Sequence, residues 1–332
     1  MTMELIDSEI SYANLTPDVV IDSIEGVGFR CDGRILALNS YENRVYQVGL
    51  EDGNFLVAKF YRFGRWSDAA IKEEHSFSLE LARQGIPVLA PLEIGRETLW
   101  ENEGYRFAVF PRQGGRWPEL GKADERVWLG RSLGRIHAIG AIQKFKERGS
   151  LSVERMGQES VRYLLDSDWV PPHLHEGYGV LVQQLLFSIA ECFAELENYP
   201  VLRIHGDCHR GNVLWTDGPH FVDFDDCING PAIQDLWLFL AGDRDAMSAQ
   251  LGDLLEGYGQ FYDFDYRQLR FIEPLRTLRM IHYAAWIARR WKDPAFPRAF
   301  PWFTENKFWE EHVLALKEQV AAIHDSPLAI VV

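Results

Sequence analysis

The stretch HGDCHRGNVLWTDGPHFVDFDD, residues 205–226, combines two candidate strands with several carboxylate and amide side chains. Asp217-Gly218 is a strong signal for a two-residue hairpin turn, and it lies between the strand-forming runs VLW and FV. A two-residue turn predicts that Asn212 faces Asp223 directly across the ladder, with Cβ atoms about 5 Å apart. The hairpin therefore predicts that a carboxamide and a carboxylate converge.

A second carboxylate precedes this hairpin, because Asp207 lies five residues before Asn212. A loop carboxylate is thus followed by an amide at the start of a strand. Oxygen donors of this kind suit Mg²⁺, which binds through one or two carboxylates and completes its shell with water and substrate phosphates. Asp207, Asn212 and Asp223 together predict a magnesium site used in phosphoryl transfer. The alternative is an ordinary hairpin with solvated acids.

These motifs resemble those of a known superfamily. The pattern from His205-Gly206-Asp207 to Asn212, followed by VDFD, resembles the catalytic-loop and metal motifs of protein kinases. The glycine at position 206 is typical of the aminoglycoside phosphotransferase and choline kinase branch. Within that branch, the combination of LNSYENRVYQ, HGDCHRGNVLW, GPAIQDLW and RRWKDPAFP is similar, nearly end to end, to the bacterial stress response kinase A family of serine/threonine kinases.

The resemblance implies an α+β, two-lobed protein-kinase-like fold with a small antiparallel-sheet N-lobe and a larger, mainly helical C-lobe. The residue pattern agrees, because a short helix at 16–28 precedes a meander of three strands predicted at 34–39, 43–49 and 54–61. Ser67 is predicted to cap a helix over 70–83, and further strands are predicted near 88–94 and 105–110. The glycine- and proline-rich run PRQGGRWPE indicates a lobe boundary. The predicted domains are 1–110, a hinge at 111–118, and 119–332.

Lys59 lies in FLVAKFY, a run apolar enough to be buried on at least one side, and a buried ammonium needs a partner. Glu74 shares a helical stripe with apolar side chains and is the predicted partner. Glu73 is the adjacent alternative, and either acid could instead be solvated, with Lys59 reaching water from an edge strand. The resemblance implies that Lys59 binds the α and β phosphates of a nucleotide and that Glu74 holds it there.

The first hairpin, LNSYENRVYQV, occupies the place of the nucleotide-covering loop in the resembling family. It contains no glycine between Leu38 and Val48, although phosphate-binding loops normally use glycine to let the backbone approach. Ser40, Tyr41 and Asn43 could still present hydroxyl and backbone donors to phosphates. A tight turn without any ligand role is an equally good interpretation.

The second half of the chain has mainly helical periodicity. Helices are predicted over 123–142, 179–196, 266–291 with a kink or restart at Pro274, and 304–323. His137 is interpreted as a core or capping histidine. Asp235, in GPAIQDLW, either interacts with a helix dipole or, as the resemblance implies, braces the catalytic loop. The run WKDPAFPRAFPWF is either an aromatic loop that closes the C-lobe or a substrate-side surface.

Composition limits the classes of partner. The chain has 332 residues, of which 47% are hydrophobic, and a formal net charge of −15, which argues against nucleic acid or an anionic membrane and is compatible with a cationic substrate. No export or membrane signal is recognised, including in the acidic N-terminus MTMELIDSEI, and four scattered cysteines fit a reducing cytoplasm. We expect a cytoplasmic monomer. A zinc site of His205, Cys208, His209 and Cys227 is the less favoured alternative for this region.

The sequence therefore predicts an ATP- and Mg²⁺-dependent phosphotransferase. Asp207 would orient or deprotonate the accepting hydroxyl, while Asn212 and Asp223 would hold the metal. The resemblance favours serine or threonine of proteins, including the enzyme itself, as the acceptor. Two alternatives stay open, namely a small-molecule kinase acting on an amino alcohol, sugar or aminoglycoside, and a nucleotide-binding regulator without turnover.

Overall fold

The computed structural model describes residues 12–196 and 198–330, and its contacts divide the chain into two units. The first unit comprises the residues up to Gly121, Phe145–Arg148 and His209–Cys227. The second comprises Lys122–Lys144, Gly149–Cys208 and the residues from Ile228 onward. The acidic N-terminal stretch, in which no export signal was recognised, lies outside the described residues. The lobe boundaries near residues 110 and 118 stay a prediction.

A five-stranded antiparallel sheet forms the centre of the first unit, with strand order β1-β2-β3-β5-β4. Its strands are β1 (Cys31–Leu38), β2 (Arg44–Leu50), β3 (Phe55–Phe60), β4 (Trp100–Asn102) and β5 (Tyr105–Pro111). The pairing of β1 with β2 and of β2 with β3 confirms the predicted meander.

Helix α1 (Pro17–Gly26) and helix α2 (Asp68–Arg83) pack against this sheet, and both begin at side-chain caps. The Oγ atom of Ser67 accepts a hydrogen bond from the Ala70 amide at 3.1 Å, as the sequence predicted for α2. Alternation along β3 places Ala58 and Phe60 in a core with α1, and it turns Lys59 to the opposite face. On that face Ala108, which pairs with Lys59, packs with Ile71 of α2.

The prediction of a strand near 88–94 is wrong, because the part of the chain that the structure describes has no strand between α2 and β4. Val88 forms only an isolated bridge with Phe221, while the amides of Leu89 and Leu92 donate to two different neighbours, Phe221 and Val109. Pro87 and Pro91 explain this, because proline has no amide hydrogen and cannot support a continuous ladder.

The register predicted for the hairpin at Asp217-Gly218 is also wrong by one residue. Strands β6 (Leu202–Ile204), β7 (Val213–Trp215) and β8 (Pro219–Phe221) follow in the chain, and Trp215 pairs with Pro219 across a three-residue loop. A two-residue turn would pair Pro219 with Thr216, and proline cannot donate the hydrogen bond that closes such a pair. Asn212 consequently accepts from the Val222 amide at 3.0 Å instead of facing Asp223.

The second unit is mainly helical and includes β6 paired antiparallel with β9 (Ile228–Gly230). Its helices are α3 (Ala123–Gly140), α4 (Glu159–Asp166), α5 (Pro172–Glu195), α6 (Gln234–Trp237), α7 (Arg244–Tyr258), α8 (Ile272–Arg289), α9 (Ala295–Ala299) and α10 (Asn306–Ala322). The four predicted helical segments are therefore present. The segment 266–291 begins as a 3₁₀ turn and restarts as α8 with Pro274 in its first turn, as predicted.

Helices α3 and α7 cross closely, since a Cβ atom built on Gly130 would lie 2.0 Å from the carbonyl oxygen of Leu254.

Helix α5 is long and apolar enough to cross a membrane by its length and composition, as core helices of globular proteins also are. Its residues Val182, Leu185 and Ile189 are buried in a core shared with α8 and α10.

Candidate active site

Lys59 lies at the centre of three carboxylates in the first unit. Its Nζ atom is 2.9 Å from Asp223 Oδ1, 3.2 Å from Asp225 Oδ1 and 3.5 Å from Glu74 Oε1. Burial on its own would lower the pKa of the Lys59 ammonium, but Asp223, Asp225 and Glu74 outweigh it and raise that pKa well above its usual value. The ammonium is therefore a permanent positive charge.

The two neighbouring glutamates of α2 have different contacts. Glu74 is buried against Lys59, whereas the Glu73 carboxylate accepts hydrogen bonds from the amides of Lys146, Glu147 and Arg148 at 2.7 to 3.1 Å. Burial raises the pKa of Glu74, and together with the negative charges of Asp225 and Asp223 it outweighs the attraction of Lys59 and Arg148. Of the two glutamates, the structure thus brings Glu74 to Lys59.

Asp225 is a buried member of this cluster that the sequence did not single out. Its carboxylate contacts Arg65 as well as Lys59, and its backbone carbonyl accepts from Arg148. Burial on its own would raise the pKa of Asp225, but the charges of Arg65, Lys59 and Arg148 hold that pKa well below its usual range. Its position in the VDFD motif was the only sequence signal for this role.

Arg148 is fully buried and ties three segments of the first unit together. Its guanidinium donates to three backbone carbonyl oxygens: that of Ala70 in α2 at 3.1 Å, that of Cys227 at 2.7 Å, and that of Asp225. Its guanidinium also lies 3.6 Å from Glu74 and stacks over the Trp66 ring at 4.1 Å. No local sequence pattern marks this arginine, because its partners come from distant parts of the chain.

Asp223 and Asn212 are the predicted metal ligands. Asp223 follows β8 with φ of 59°, a left-handed conformation that aspartate tolerates better than most residues, and its side chain is half-exposed. Asn212 ends a 3₁₀ turn, and its carbonyl accepts from Val222, the residue before Asp223. The carboxylate and carboxamide oxygens are hard donors, so this pair fits Mg²⁺, which needs few protein ligands.

The zinc alternative is not supported. Within 12–196 and 198–330, no three histidine, cysteine, aspartate or glutamate side chains are arranged to hold a metal ion.

The glycine-free turn between β1 and β2 contains Ser40, which is partly exposed. Asn43, considered with Ser40 as a phosphate contact, is buried, and its side-chain oxygen accepts from the Arg62 amide at 3.1 Å. The Asn43 side chain therefore stabilises the turn from within. Ser40 stays the candidate contact in this turn.

Asp207 belongs to the second unit, on the loop that follows β6. Asp235 braces this loop by accepting hydrogen bonds from the amides of His205 at 2.7 Å and Gly206 at 2.8 Å, the contact that the resemblance implied. Gly206 has φ of 85°, which favours glycine. His137 is fully buried between Asp235 and the Tyr258 hydroxyl, which confirms its interpretation as a core histidine.

The Asp207 carboxylate has a cationic partner that the sequence did not reveal. Arg279 of α8 donates from Nη1 to Asp207 Oδ1 at 2.5 Å. Arg279 lies 72 positions further along the chain, so nothing near Asp207 in the sequence could indicate it.

Comparison with known proteins agrees with this geometry. The family model described as the phosphotransferase enzyme family matches residues 34–272. Stress response kinase A of Salmonella choleraesuis (strain SC-B67) and the serine/threonine protein kinase RdoA of Salmonella typhimurium (strain LT2) are each 41% identical over 322 residues, 97% of this chain and 98% of each relative. The solved structure of the amicoumacin kinase hAmiN, in complex with AMP-PNP, Ca²⁺ and Ami, has a TM-score of 0.74 at 17% identity and covers 99% of this chain and 98% of its own.

The sheet, the mainly helical second unit and the buried lysine among carboxylates define a kinase-like phosphotransferase, and the predicted α+β protein-kinase-like fold is confirmed. The chain belongs to the stress response kinase A family, within the phosphotransferase enzyme family. It is accordingly a kinase, and the alternative of a regulator without turnover is not favoured.

Proposed function

We propose that this kinase transfers the γ-phosphoryl group of ATP, with Mg²⁺, to serine or threonine hydroxyls of proteins, including its own. The observation that carries the proposal is the 41% identity, over 97% of the chain, to a relative named as a serine/threonine protein kinase. The carboxylate, amide and lysine groups that phosphoryl transfer needs are all present in this chain.

In the proposed reaction, Asp207 accepts a hydrogen bond from the acceptor hydroxyl and orients its oxygen toward the γ-phosphorus. A bond forms between that oxygen and the γ-phosphorus as the bond to the β,γ-bridging oxygen breaks, and ADP leaves. The hydroxyl proton passes to Asp207 and then to solvent. Because the transition state is loose, orientation of the hydroxyl contributes more than strong basicity.

The first unit supplies the nucleotide-binding groups of the proposal. Lys59, held by Glu74, binds the nonreacting phosphates with its permanent positive charge, and Ser40 adds a contact from the glycine-free turn. Asn212 and Asp223 hold Mg²⁺, which supplies charge neutralisation on the phosphates when bound. Asp225, which pairs with Arg65, keeps Lys59 in place through the buried ion-pair cluster.

A small-molecule kinase is the second candidate. The net charge of −15 would suit a cationic acceptor, and the structural neighbour hAmiN is an amicoumacin kinase. The sequence identity to that neighbour is only 17%, so its acceptor carries little weight for this chain. We further propose a cytoplasmic monomer without nucleic-acid or membrane partners, in line with the acidic composition.

The decisive experiment supplies γ-labelled ATP and Mg²⁺ to the purified protein alone, with a generic basic protein, and with a panel of amino alcohols, sugars and aminoglycosides. We expect label on serine or threonine of protein, including the enzyme, and none on the small molecules. Asp207→Asn should reduce the label to a small residual rate while ATP affinity, measured by calorimetry, changes little, because Asp207 acts on the acceptor.

Asp223→Asn should weaken ATP binding more strongly in the presence of Mg²⁺ than in its absence, because the substitution replaces a charged metal ligand by a neutral one. The matched control is Asp217→Asn, an exposed carboxylate in the loop of the same hairpin, which should behave as wild type. Label confined to a small hydroxylated compound would replace the protein acceptor by the second candidate. An ATP affinity of Asp223→Asn equal to that of the wild type in the presence of Mg²⁺ would contradict the metal assignment.

A further inference from the structure

Arg279 is placed by a well-packed helix against the carboxylate of Asp207. Its neighbours Leu278 and Ile281 are fully buried in the second unit, so that α8 presents Arg279 from a rigid element. The resulting contact, from Nη1 to Asp207 Oδ1, measures 2.5 Å. A charge-assisted hydrogen bond of this kind is strongly directional.

The contact differs from those that hold the Asp207 loop. Asp235 accepts from the backbone amides of His205 and Gly206, and Gln234 donates to the Gly206 carbonyl at 2.9 Å. These bonds fix the course of the backbone before Asp207. Arg279 instead contacts the carboxylate itself, and therefore acts on the orientation of the side chain that meets the acceptor.

Solvent exposure argues against a purely structural role. The side chains of Arg279 and Asp207 are 38% and 25% exposed, and ion pairs this open to water contribute little to folding stability. The pair at Arg276, one turn earlier on α8, has similar exposure but joins the arginine to Glu273 on the same helix. Two arginines of one helix thus make comparable ion pairs, of which one involves the proposed catalytic carboxylate.

We propose that Arg279 is a positioning residue for phosphoryl transfer, which holds the plane of the Asp207 carboxylate in the orientation that accepts the acceptor hydroxyl. The inference rests on the proposed function, since it assigns a task to Asp207. Nothing in the resemblance or in the relatives' names assigns a role to this arginine. A misplaced catalytic group can cost about a hundredfold in rate, so the effect is measurable.

The test compares Arg279→Ala, Arg279→Lys and the control Arg276→Ala in transfer of labelled phosphate to a generic basic protein. We expect Arg279→Ala to lower kcat about 10- to 100-fold with the KM for ATP unchanged, and Arg279→Lys to retain more activity. Guanidinium ion at millimolar concentration should restore part of the activity of Arg279→Ala. Arg276→Ala should keep the wild-type kcat, and thermal unfolding should show all three variants folded.

A double variant separates a positioning role from an independent one. Arg279→Ala added to Asp207→Asn should cause no further loss of the residual rate, because Arg279 acts through Asp207. A wild-type kcat in Arg279→Ala, with Asp207→Asn reduced to a small residual rate, would refute the inference alone, as would an equal fold-loss from Arg279→Ala in both backgrounds. Full activity of Asp207→Asn would refute the proposed function and the inference with it.

Discussion

Replacement of Asp225 by asparagine tests the buried ion-pair cluster of the first unit. The amide keeps the shape of the side chain but removes the charge that faces Arg65 and Lys59. Breaking a buried ion pair by removing one partner costs about 3 to 5 kcal/mol. We expect the lower end, about 3 kcal/mol, because Arg65 retains Asp226 and Lys59 retains Glu74.

The measurement is equilibrium unfolding in urea at pH 7, followed by circular dichroism and tryptophan fluorescence. Asp226→Asn is a matched control, because Asp226 contacts the same Arg65 while its side chain is 48% exposed. An exposed pair contributes about 0 to 1 kcal/mol, so the control should unfold close to the wild type. A loss below about 1 kcal/mol in Asp225→Asn would refute the view that this cluster holds the unit together.

The loss of stability in Asp225→Asn should depend on pH, and its direction follows from the pKa of Asp225. The pKa of Asp225 is held below its usual range, so its stabilising contribution is present above the pKa of the unfolded chain, about 3.9, and is lost as the pH falls toward the folded value. The stability difference between wild type and Asp225→Asn should therefore be constant from about pH 5 to 7 and shrink below about pH 4. A difference that grows on acidification would contradict the direction of this pKa shift.

Two further predictions concern other parts of the structure. A double-mutant cycle of Lys59→Met and Glu74→Gln on ATP affinity should show coupling of about 0.5 to 3 kcal/mol, whereas strict additivity would mean that Glu74 does not hold Lys59 for the nucleotide. Gly130→Ala should lower the free energy of unfolding by at least about 1 to 3 kcal/mol, because its Cβ would meet the Leu254 carbonyl at the crossing of α3 with α7. Gly252→Ala on α7 meets no atom within 4 Å and should be neutral or stabilise by up to about 1 kcal/mol in urea unfolding; equal losses in both would contradict the close-approach argument.

Local patterns in the sequence were sufficient to predict most helices and strands of the fold. Thr16 and Ser67 mark the starts of α1 and α2, since their side chains cap the first turn. The restart at Pro274 likewise follows from the covalent structure of one residue. The positions of Lys59 in β3 and of Glu74 on the buried stripe of α2 follow from periodicity, which depends only on the spacing of apolar residues.

The hairpin shows the limit of local rules. Asp217-Gly218 indicated a turn correctly, yet its length depended on Pro219, whose missing amide hydrogen excludes the two-residue form. That information was present in the sequence and was outweighed by the stronger turn signal. Asn212 therefore lies opposite Val222, one position from where the turn signal alone would place it.

The partners of three arginines were decided by tertiary structure alone. Arg65 and Arg148 meet Asp225, which lies 160 and 77 positions away in the chain, and Arg279 meets Asp207, 72 positions away. Arginines with no such task look the same in the sequence. The same holds for the choice between Glu73 and Glu74, which depends on how α2 is rotated against β3 and the segment 146–148. Sequence motifs thus predicted the chemical groups that we propose for phosphoryl transfer, whereas packing of distant segments decided which charges hold those groups, because an ion pair is specified by distance in space and not by separation along the chain.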